Sequence, residues 1–454
     1  MGSAKKRIWG WMAFDWAQQP YYTLGLTFIF GPYFASVAFD WFTAQGATDA
    51  EAQAQSLWSL GQSLSGIVIA LSAPLLGAWA DLSGRKVSWI AFFSVLYVIC
   101  AWSLWWMTPD GANLILILIL FNIGFVAAES GLNFANAILP SLGPDKEIGK
   151  ISGSASAFGY WGGVMSLFII LIFFEDGAGH TFAGLAPAFG LDPATNEGTR
   201  AVGPFIALWY LVFMIPFFLW VRDGDAPRRK ITFGQASAEL IRSIKSIRRS
   251  RSLSAFLLGS MLYRDAVNGL YAFGGVYAKL VLGWATMQIG IFGIIGAITA
   301  AIATWIGGLA DRRYGPKPVI VVSSIILMVV CSIIVSMSRD HFGPFALPEG
   351  SKLPDILFYI CGAAIGGAGG ALYSASRSLM VRHTNPERPA EAFGLFALTG
   401  KATAFLAPTL IGISTYLTQS NQLGFLPVIF LFLAGLVLLR WVDGEGDRAA
   451  WSAQ

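Results

Sequence analysis

Charge is scarce in this chain. Asp, Glu, Lys and Arg make up 12% of its 454 residues, about half the share of a soluble globular protein. Against that stand 55% hydrophobic residues and a mean hydropathy of +0.62. No core of a soluble chain hides so much apolar surface, so lipid must be the solvent for much of it. Cysteine is scarcer still. Cys100, Cys331 and Cys361 fall inside apolar runs, which argues against a disulfide framework and makes a thiol metal site a poor reading. They read as buried spectators. Three histidines, His180, His341 and His383, fall in polar loops, and no His, Cys and carboxylate cluster has ligand spacing. A phosphate-cradling glycine loop is missing, so no nucleotide engine is read. The expectation is a chain with no cofactor, no resident metal, no nucleic-acid partner and no enzymatic activity. A short h-region with a cleavage site is missing too. Lys5-Lys6-Arg7 leads into a long apolar stretch, which reads as a first membrane helix and not as a removable signal. Lys6 breaks the myristoylation pattern that Gly2 would begin.

What is plentiful is the apolar run of about 20 residues, long enough to span a bilayer. Twelve recur, at 11–40, 56–80, 87–107, 112–138, 151–174, 202–221, 254–280, 286–310, 317–338, 354–380, 391–418 and 424–441. Pro20 and Pro32 should kink the long first one. Basic residues fix the orientation. With the N-terminus cytoplasmic, the inner loops hold Lys5, Lys6, Arg7, Arg85, Lys86, Lys146, Lys150, the basic middle segment, Arg312, Arg313, Lys317, Arg382, Arg388, Arg440 and Arg448. The outer loops hold only Arg200, Lys279, Arg339 and Lys352. Both termini are therefore expected inside, and a plasma (inner) membrane fits best, or a vacuolar or lysosomal one in a eukaryote. The widest inner gap divides the chain into a six-span bundle at 1–221, a linker at 222–253 and a second six-span bundle at 254–454. In the linker Leu240, Ile241, Ile244 and Ile247 recur at helical spacing with Arg242, Lys245, Arg248 and Arg249 between them. That pattern fits an amphipathic helix on the inner leaflet, or a solvated basic linker.

The halves repeat. Gly77-Ala-Trp-Ala-Asp81-Leu-Ser-Gly84-Arg85-Lys86 follows the second span, and Gly307-Gly-Leu-Ala-Asp311-Arg312-Arg-Tyr-Gly315-Pro-Lys317 follows the eighth. Asp15 with Gln18 in the first span corresponds to Asp265 with Asn268 in the seventh. An offset of six spans gives both copies the same orientation, which is a parallel repeat. The first loop resembles the signature of the major facilitator superfamily, with Leu82 where a base is usual. The second is looser, with one extra residue before Gly315. A narrower resemblance is to the fungal vacuole effluxer-like family. It rests on Phe14-Asp15-Trp16-Ala17, on Leu262-Tyr263-Arg264-Asp265-Ala266-Val267-Asn268 with Ala272-Phe273-Gly274-Gly275, and on Ser376-Arg377-Ser378-Leu379 running through Pro386 to Glu391-Ala392-Phe393-Gly394-Leu395-Phe396. Gln18-Gln19 stand where that family usually has Asn-Ser. The resemblance implies an all-α polytopic fold of 12 helices in two pseudo-symmetric bundles, with spans 1, 4, 7 and 10 lining a central cavity. It also implies export of neutral and basic amino acids in the fungal members.

Few charges lie at membrane depth, where each costs about 2.5–3.5 kcal/mol on insertion scales unless paired or hydrated. They are Asp15, Glu129, Arg264, Asp265, Arg377 and Lys401. In span 4, Asn122, Glu129, Asn133 and Asn136 are spaced by seven, four and three, so they share one narrow face. That face reads as a cavity wall or as an interhelical hydrogen-bond seam. In span 1, Asp15, Gln18, Gln19 and Tyr22 share a face. In span 7 the neighbours Arg264 and Asp265 point apart: Asp265 pairs with Asn268, and Arg264 with Asn268 and Tyr271, one facing the cavity, Asp265 by preference, and the other locking to a neighbouring helix. Arg377, one turn after Tyr373, could hold a carboxylate, snorkel to phosphate headgroups or brace the inner gate; Arg264, Arg377 and Lys401 are the candidates for a carboxylate on the cargo, and the carboxyls and amides for an amine. Lys401 needs a carboxylate, with Glu129 or Asp265 as its natural partner. Desolvated carboxyls make Glu129 and Asp265 candidate carriers of a coupling proton, and Na⁺ would use the same groups. In the loops, Gly77, Asp81, Gly84, Arg85, Lys86, Asp311 and Arg312 form the gating motif, with Asp81 facing a helix N-terminus. Gly362, Gly366 and Gly370, and Gly159, Gly162 and Gly163, read as packing faces. Trp9, Trp11, Trp102, Trp105 and Trp106 read as interfacial belts.

The sequence thus points to a secondary active exporter, a monomer in lipid, moving a small zwitterionic or polar metabolite such as an amino acid by alternating access. A lipid or lysolipid translocator, or a sensor of the same fold without turnover, are its rivals.

Overall fold

The structure, a computed structural model, describes residues 2–174, 181, 184–223, 232–247, 250–284 and 286–446. Helices dominate it. The first span is α1 (Gly2–Pro20), a π-helical stretch Tyr21–Phe28 and α2 (Phe30–Ala44). Pro20 lacks the N–H that would continue an α ladder, and the winding loosens from there to Ile29. Pro32 sits in the first turn of α2, where its missing N–H is not needed. Then follow α3 (Ala50–Ser83), α4 (Lys86–Ser103), α5 (Leu114–Asn136) and α6 (Asp145–Phe173). The sixth apolar segment is built from α7 (Glu197–Arg200), α8 (Val202–Phe213) and α9 (Ile215–Trp220). After the linker helix α10 (Phe233–Ile247) come α11 (Arg251–Leu280), α12 (Thr286–Tyr314) and α13 (Pro316–Ser336). A small hairpin, β1 (His341–Phe342) and β2 (Phe345–Ala346), leads to α14 (Leu353–His383). The eleventh segment is broken into α15 (Pro389–Ala402) and α16 (Leu406–Thr418), and α17 (Leu426–Leu439) ends the bundle.

Ten of these segments are long and apolar enough to cross a membrane, among the described residues. α11 is long enough at 30 residues but is not one of the ten; Arg251, Arg264, Asp265 and Lys279 dilute its apolar character. The last, Leu423–Leu439, is apolar but shorter. The linker helix is present as backbone, with Phe233 and Ile241 exposed. Arg248, Arg249, His180 and the side chains of Ile244, Lys245 and Ile247 lie outside the described residues.

The chain forms two compact units. One comprises 1–71, 84–135 and 158–228, the other 72–83, 136–157 and 229–454. In the first unit, Tyr21 stacks on Phe121 with ring centroids 5.3 Å apart, and Tyr97 stacks on Tyr210 at 4.1 Å. The small residues of α6 let α1 approach: a Cβ at Gly159 would lie 3.0 Å from the Asp15 carbonyl, and one at Gly163 2.8 Å from Gln19 Cγ. In the second unit, Gly366 of α14 admits the Gly296 carbonyl of α12 into the space a side chain would take. Gly159, Gly162 and Gly366 thus admit a neighbouring backbone, as packing faces should. The three cysteines are free and buried.

Two expectations fail. His383 is not in a loop. It is buried on the last turn of α14, its Nε2 2.8 Å from Ser252 Oγ and its ring stacked on Phe256. The apolar run stops at 380, but helix α14 does not. Trp11 is not interfacial either: it is 1% exposed and its Nε1 donates to the Ala135 carbonyl at 2.6 Å. One of five neighbouring tryptophans found an internal acceptor, and spacing cannot single it out.

Candidate functional site

Two polar constellations and one braced seam hold the residues that the sequence singled out. The first constellation belongs to the first unit. Gln18 Nε2 donates to Tyr22 Oη at 2.7 Å and to the Ala128 carbonyl at 3.2 Å. Tyr22 Oη donates in turn to Glu129 Oε1 at 3.1 Å. The carbonyl of Ala128 fixes the sense of the Gln18 amide, because only the NH₂ end has hydrogens to give. The i, i+4 spacing of Gln18 and Tyr22 aims both at α5, while Asp15 and Gln19 face the glycines of α6. The single face read in span 1 is thus shared between two neighbours.

The polar stripe of span 4 divides as well. Glu129 joins the Tyr22 chain. Asn122 turns to α3 instead, accepting from Ser65 Oγ at 2.7 Å and Gln62 Nε2 at 3.3 Å, and donating to the Leu118 carbonyl at 2.8 Å. It forms a seam between helices. Asn133 is buried. Asn136, at the end of α5, accepts from Arg377.

The second constellation lies in the second unit, around α11. Arg264 lays its guanidinium on the Phe396 ring, Cζ 4.2 Å from the centroid, and Nη1 donates to the Phe396 carbonyl at 3.1 Å. Tyr373 Oη donates to Asn268 Oδ1 at 2.6 Å, and its ring lies 5.7 Å from the same guanidinium. Asp265 takes a different part from the one expected. It is 1% exposed, and Oδ2 accepts from the Ala407 amide at 2.7 Å. That places a carboxylate at the second residue of α16, where the N-terminal amides favour negative charge. Asp265 is the member of the pair locked to a neighbouring helix. The reason is the break between α15 and α16, which creates a helix N-terminus opposite it. Lys401 lies half-buried at the end of α15, beside that break.

The seam is built on the two motif copies, and the residues that form it, Gly77 and Asp81 of the first and Asp311 of the second, lie inside the second unit. Asp81 Oδ2 accepts from the Glu391 amide at 2.8 Å. Glu391 is in the first turn of α15, so the carboxylate meets the positive end of a helix. Gly77 leaves room for the Ala390 carbonyl. In the second copy Asp311 occupies the space above Gly149 in the first turns of α6, with Arg382 Nη2 4.0 Å from Oδ1. Gly84 and Gly315 end their helices at φ +67 and +85, a region open to glycine at little cost. The extra residue of the second copy therefore lies before the turn and leaves the turn itself intact. Arg312 pairs with Glu147 at 2.7 Å on an exposed surface, where such a pair contributes little. Arg85 is exposed, and Lys86 opens α4.

Arg377 carries the densest network. It is 7% exposed. Its Nε donates to Ser152 Oγ at 2.8 Å, and Nη2 donates to the Ser152 carbonyl at 2.7 Å and to Ser156 Oγ at 2.8 Å. Nη1 donates to Asn136 Oδ1 at 3.2 Å. The guanidinium thus staples α14 to α6. Ser152 and Ser156 were not singled out from the sequence. Their signal was there: Ser152-Gly153-Ser154-Ala155-Ser156 is a run of small residues at the start of a span.

Replacing Asp81 by Asn keeps the acceptor and removes the charge. The helix-end interaction is worth about 1 kcal/mol, so solute exchange in proteoliposomes should slow about fivefold. An unchanged rate would remove Asp81 from the brace.

A family profile described as "Vacuole effluxer Atg22 like" matches residues 144–450. A Bacillus subtilis (strain 168) protein described as the uncharacterized MFS-type transporter YxiO is 24% identical over 443 residues, covering 96% of this chain and 94% of the relative. Autophagy-related protein 22 of Cryptococcus neoformans (strain JEC21) is 23% identical over 309 residues, 66% of this chain and 51% of that protein. Autophagy-related protein 22-2 of Sclerotinia sclerotiorum is 25% identical over 261 residues, 54% and 38% respectively. The match thus spans about half or less of these fungal relatives. Among solved structures, the fucose:proton symporter FucP of E. coli superposes with a TM-score of 0.66 at 16% identity, over 96% of this chain and 98% of that one. The proton:xylose symporter XylE gives 0.67 at 14% identity, over 99% and 98%. At such identities these two show the fold, a major facilitator fold. With the profile matching well over half of its length, this chain is an integral, multi-pass membrane transporter that belongs to the Atg22-like vacuole effluxer family of the major facilitator superfamily.

Proposed function

We propose that the protein works by alternating access and exports small zwitterionic or polar metabolites, amino acids first, with protons as the coupling ion. The observation that carries this reading is the Gln18, Tyr22 and Glu129 chain, a carboxylate held by a phenol and an amide on two membrane-crossing segments. Such a group is costly at that depth and is kept where it is used. Glu129 is the carrier of the proton: ionised, it accepts from Tyr22; protonated, it has a hydrogen to give. The description of the family profile as an effluxer supports export as the direction. Twelve crossings, with α11 and α17 completing the ten, leave both ends on the side of the basic loops, the cytoplasmic side of a plasma membrane. The transporter acts as a monomer in lipid, and needs no resident metal or cofactor.

The test is counterflow of a labelled amino-acid panel in proteoliposomes, with and without a pH gradient, for wild type and Glu129→Gln. Gradient-dependent flux is expected, falling about tenfold or more in the variant, about 1.4 kcal/mol in the barrier. Flux indifferent to the gradient would reject proton coupling. No flux of any amino acid through folded protein would reject the cargo and turn the search to lipids.

A further inference from the structure

Among the described residues Arg264 is a cation without a counter-ion. It lies near the middle of the 30-residue α11, packed against two segments apolar enough to cross the membrane, α14 and α15–α16. The ion pairs among the described residues include those of Arg312 with Glu147, Arg339 with Asp355, and Arg382 with Asp311 and Glu445; none of these reaches Arg264. Its sequence neighbour Asp265 is turned to the Ala407 amide. Of the five N–H groups of the fork, one is spent on the Phe396 carbonyl. Nε–H is buried with no hydrogen-bond partner.

The surroundings hold the fork in place without neutralising it. The Phe396 ring supports one face and the Tyr373 ring lies beside it. Gly400 supplies clearance, since a Cβ there would lie 2.6 Å from Arg264 Cζ. Tyr373 and Asn268 bond to each other and bring no charge. An unpaired guanidinium costs several kcal/mol at membrane depth unless hydrated or paired. A planar fork steadied on an aromatic ring matches one planar, singly charged acceptor with two oxygens.

We propose that Arg264 is the recognition point for the carboxylate of the transported solute. The proposal rests on the transport reading above and adds to it the anionic end of the cargo. A carboxylate fits better than a phosphate, because one guanidinium balances one charge and the polar neighbours Asn268 and Tyr373 are neutral.

The experiment is thermal unfolding of the purified full-length protein in nanodiscs with an amino-acid panel. Each acid is compared with its own amide and with its decarboxylated amine. A rise in Tm with the acids, and none with the amides or amines, is expected in wild type, a comparison that needs no variant. Arg264→Gln should abolish the rise. Arg264→Lys, which keeps the charge and loses the fork, should weaken apparent affinity about tenfold or more. Equal stabilisation by acid and amide would overturn the proposal and leave the transport reading standing. If no amino acid acts, short monocarboxylates lacking an amine are the probe. A rise that Arg264→Gln removes would keep the site and reject amino acids as cargo. No response to any carboxylate, or a response to inorganic phosphate alone, would overturn the site.

Discussion

Arg377→Ala should nearly abolish transport. The substitution removes four hydrogen bonds from a charged group that is 7% exposed. Hydrogen bonds to charged groups contribute about 1.5–3 kcal/mol each, and against them stands the relief of desolvating a guanidinium. A net loss of about 3 kcal/mol follows, on the order of a 100-fold shift in any equilibrium that makes and breaks the seam. The loss falls on the contact between α14 and α6 and leaves the core of the unit alone. The expected result is a folded protein with a small change in Tm and a collapse in exchange rate. A cysteine at Ser156 should react faster with a thiol reagent when Arg377 is gone. Arg377→Lys should sit between, because an ammonium has three donors on one nitrogen and cannot serve four acceptors spread along the guanidinium. Wild-type exchange in the alanine variant would mean that the staple closes nothing.

Gly153→Leu is the second large effect. The backbones of α6 and α12 touch there: a Cβ at 153 would lie 2.5 Å from Gly308 Cα and 2.8 Å from the Thr304 carbonyl. No flexible side chain stands in the way, so nothing can yield but the helices themselves. Overpacking of this kind costs about 1–3 kcal/mol, and leucine adds four carbons where one does not fit. Transport should fall about tenfold or more, and the thiol reagent should gain the same access as in the arginine variant. Gly66→Leu and Gly412→Leu are the controls. Both glycines lie in helices with nothing within 4 Å of the position a Cβ would take. There leucine should be neutral or slightly stabilising, through helix propensity alone. Loss of transport in the controls would point to a general intolerance of these helices and away from the seam.

Much of the fold was legible because the bilayer imposes a length. An apolar run of about 20 residues states its own secondary structure, and the motif loops state the repeat. The polar faces that hold Gln18, Tyr22 and Glu129 were legible for a similar reason, since spacing on one helix selects a face, but the chain that joins them across α1 and α5 was not. Nor was the parting of Arg264 from Asp265. Adjacent residues point about 100° apart, but which neighbour each meets depends on the break at Ala402–Phe405 and on the space above Gly400. Neither leaves a mark in the apolar pattern of span 11. The Arg377 staple was half legible: the arginine stood out as a charge near the end of a span, whereas its serine partners look like any run of small residues. Asn122 shows the limit from the other side. It shares a helical face with Glu129 and spends its hydrogen bonds on a different neighbour, because seven residues along a helix is far enough to change partners.

The two motif copies have ceased to be interchangeable. Asp81 Oδ2 accepts from a main-chain donor, the Glu391 amide, which any residue at that position except proline would supply. Asp311 has no such main-chain donor, and sits instead in the space at Gly149 with the Arg382 guanidinium beside it. Arg382 is itself divided, giving Nη1 to the Gly444 carbonyl and to Glu445 just beyond α17. Grafting the first loop onto the second site would shorten the stretch from aspartate to glycine by one residue and draw the carboxylate back from α6. Grafting the second onto the first would push a carboxylate past its amide. Each aspartate leans on the opposite half of the sequence, Asp81 on a main-chain amide of α15 and Asp311 on the space at Gly149 with the Arg382 side chain beside it, so a side-chain substitution that the first copy tolerates can undo the second.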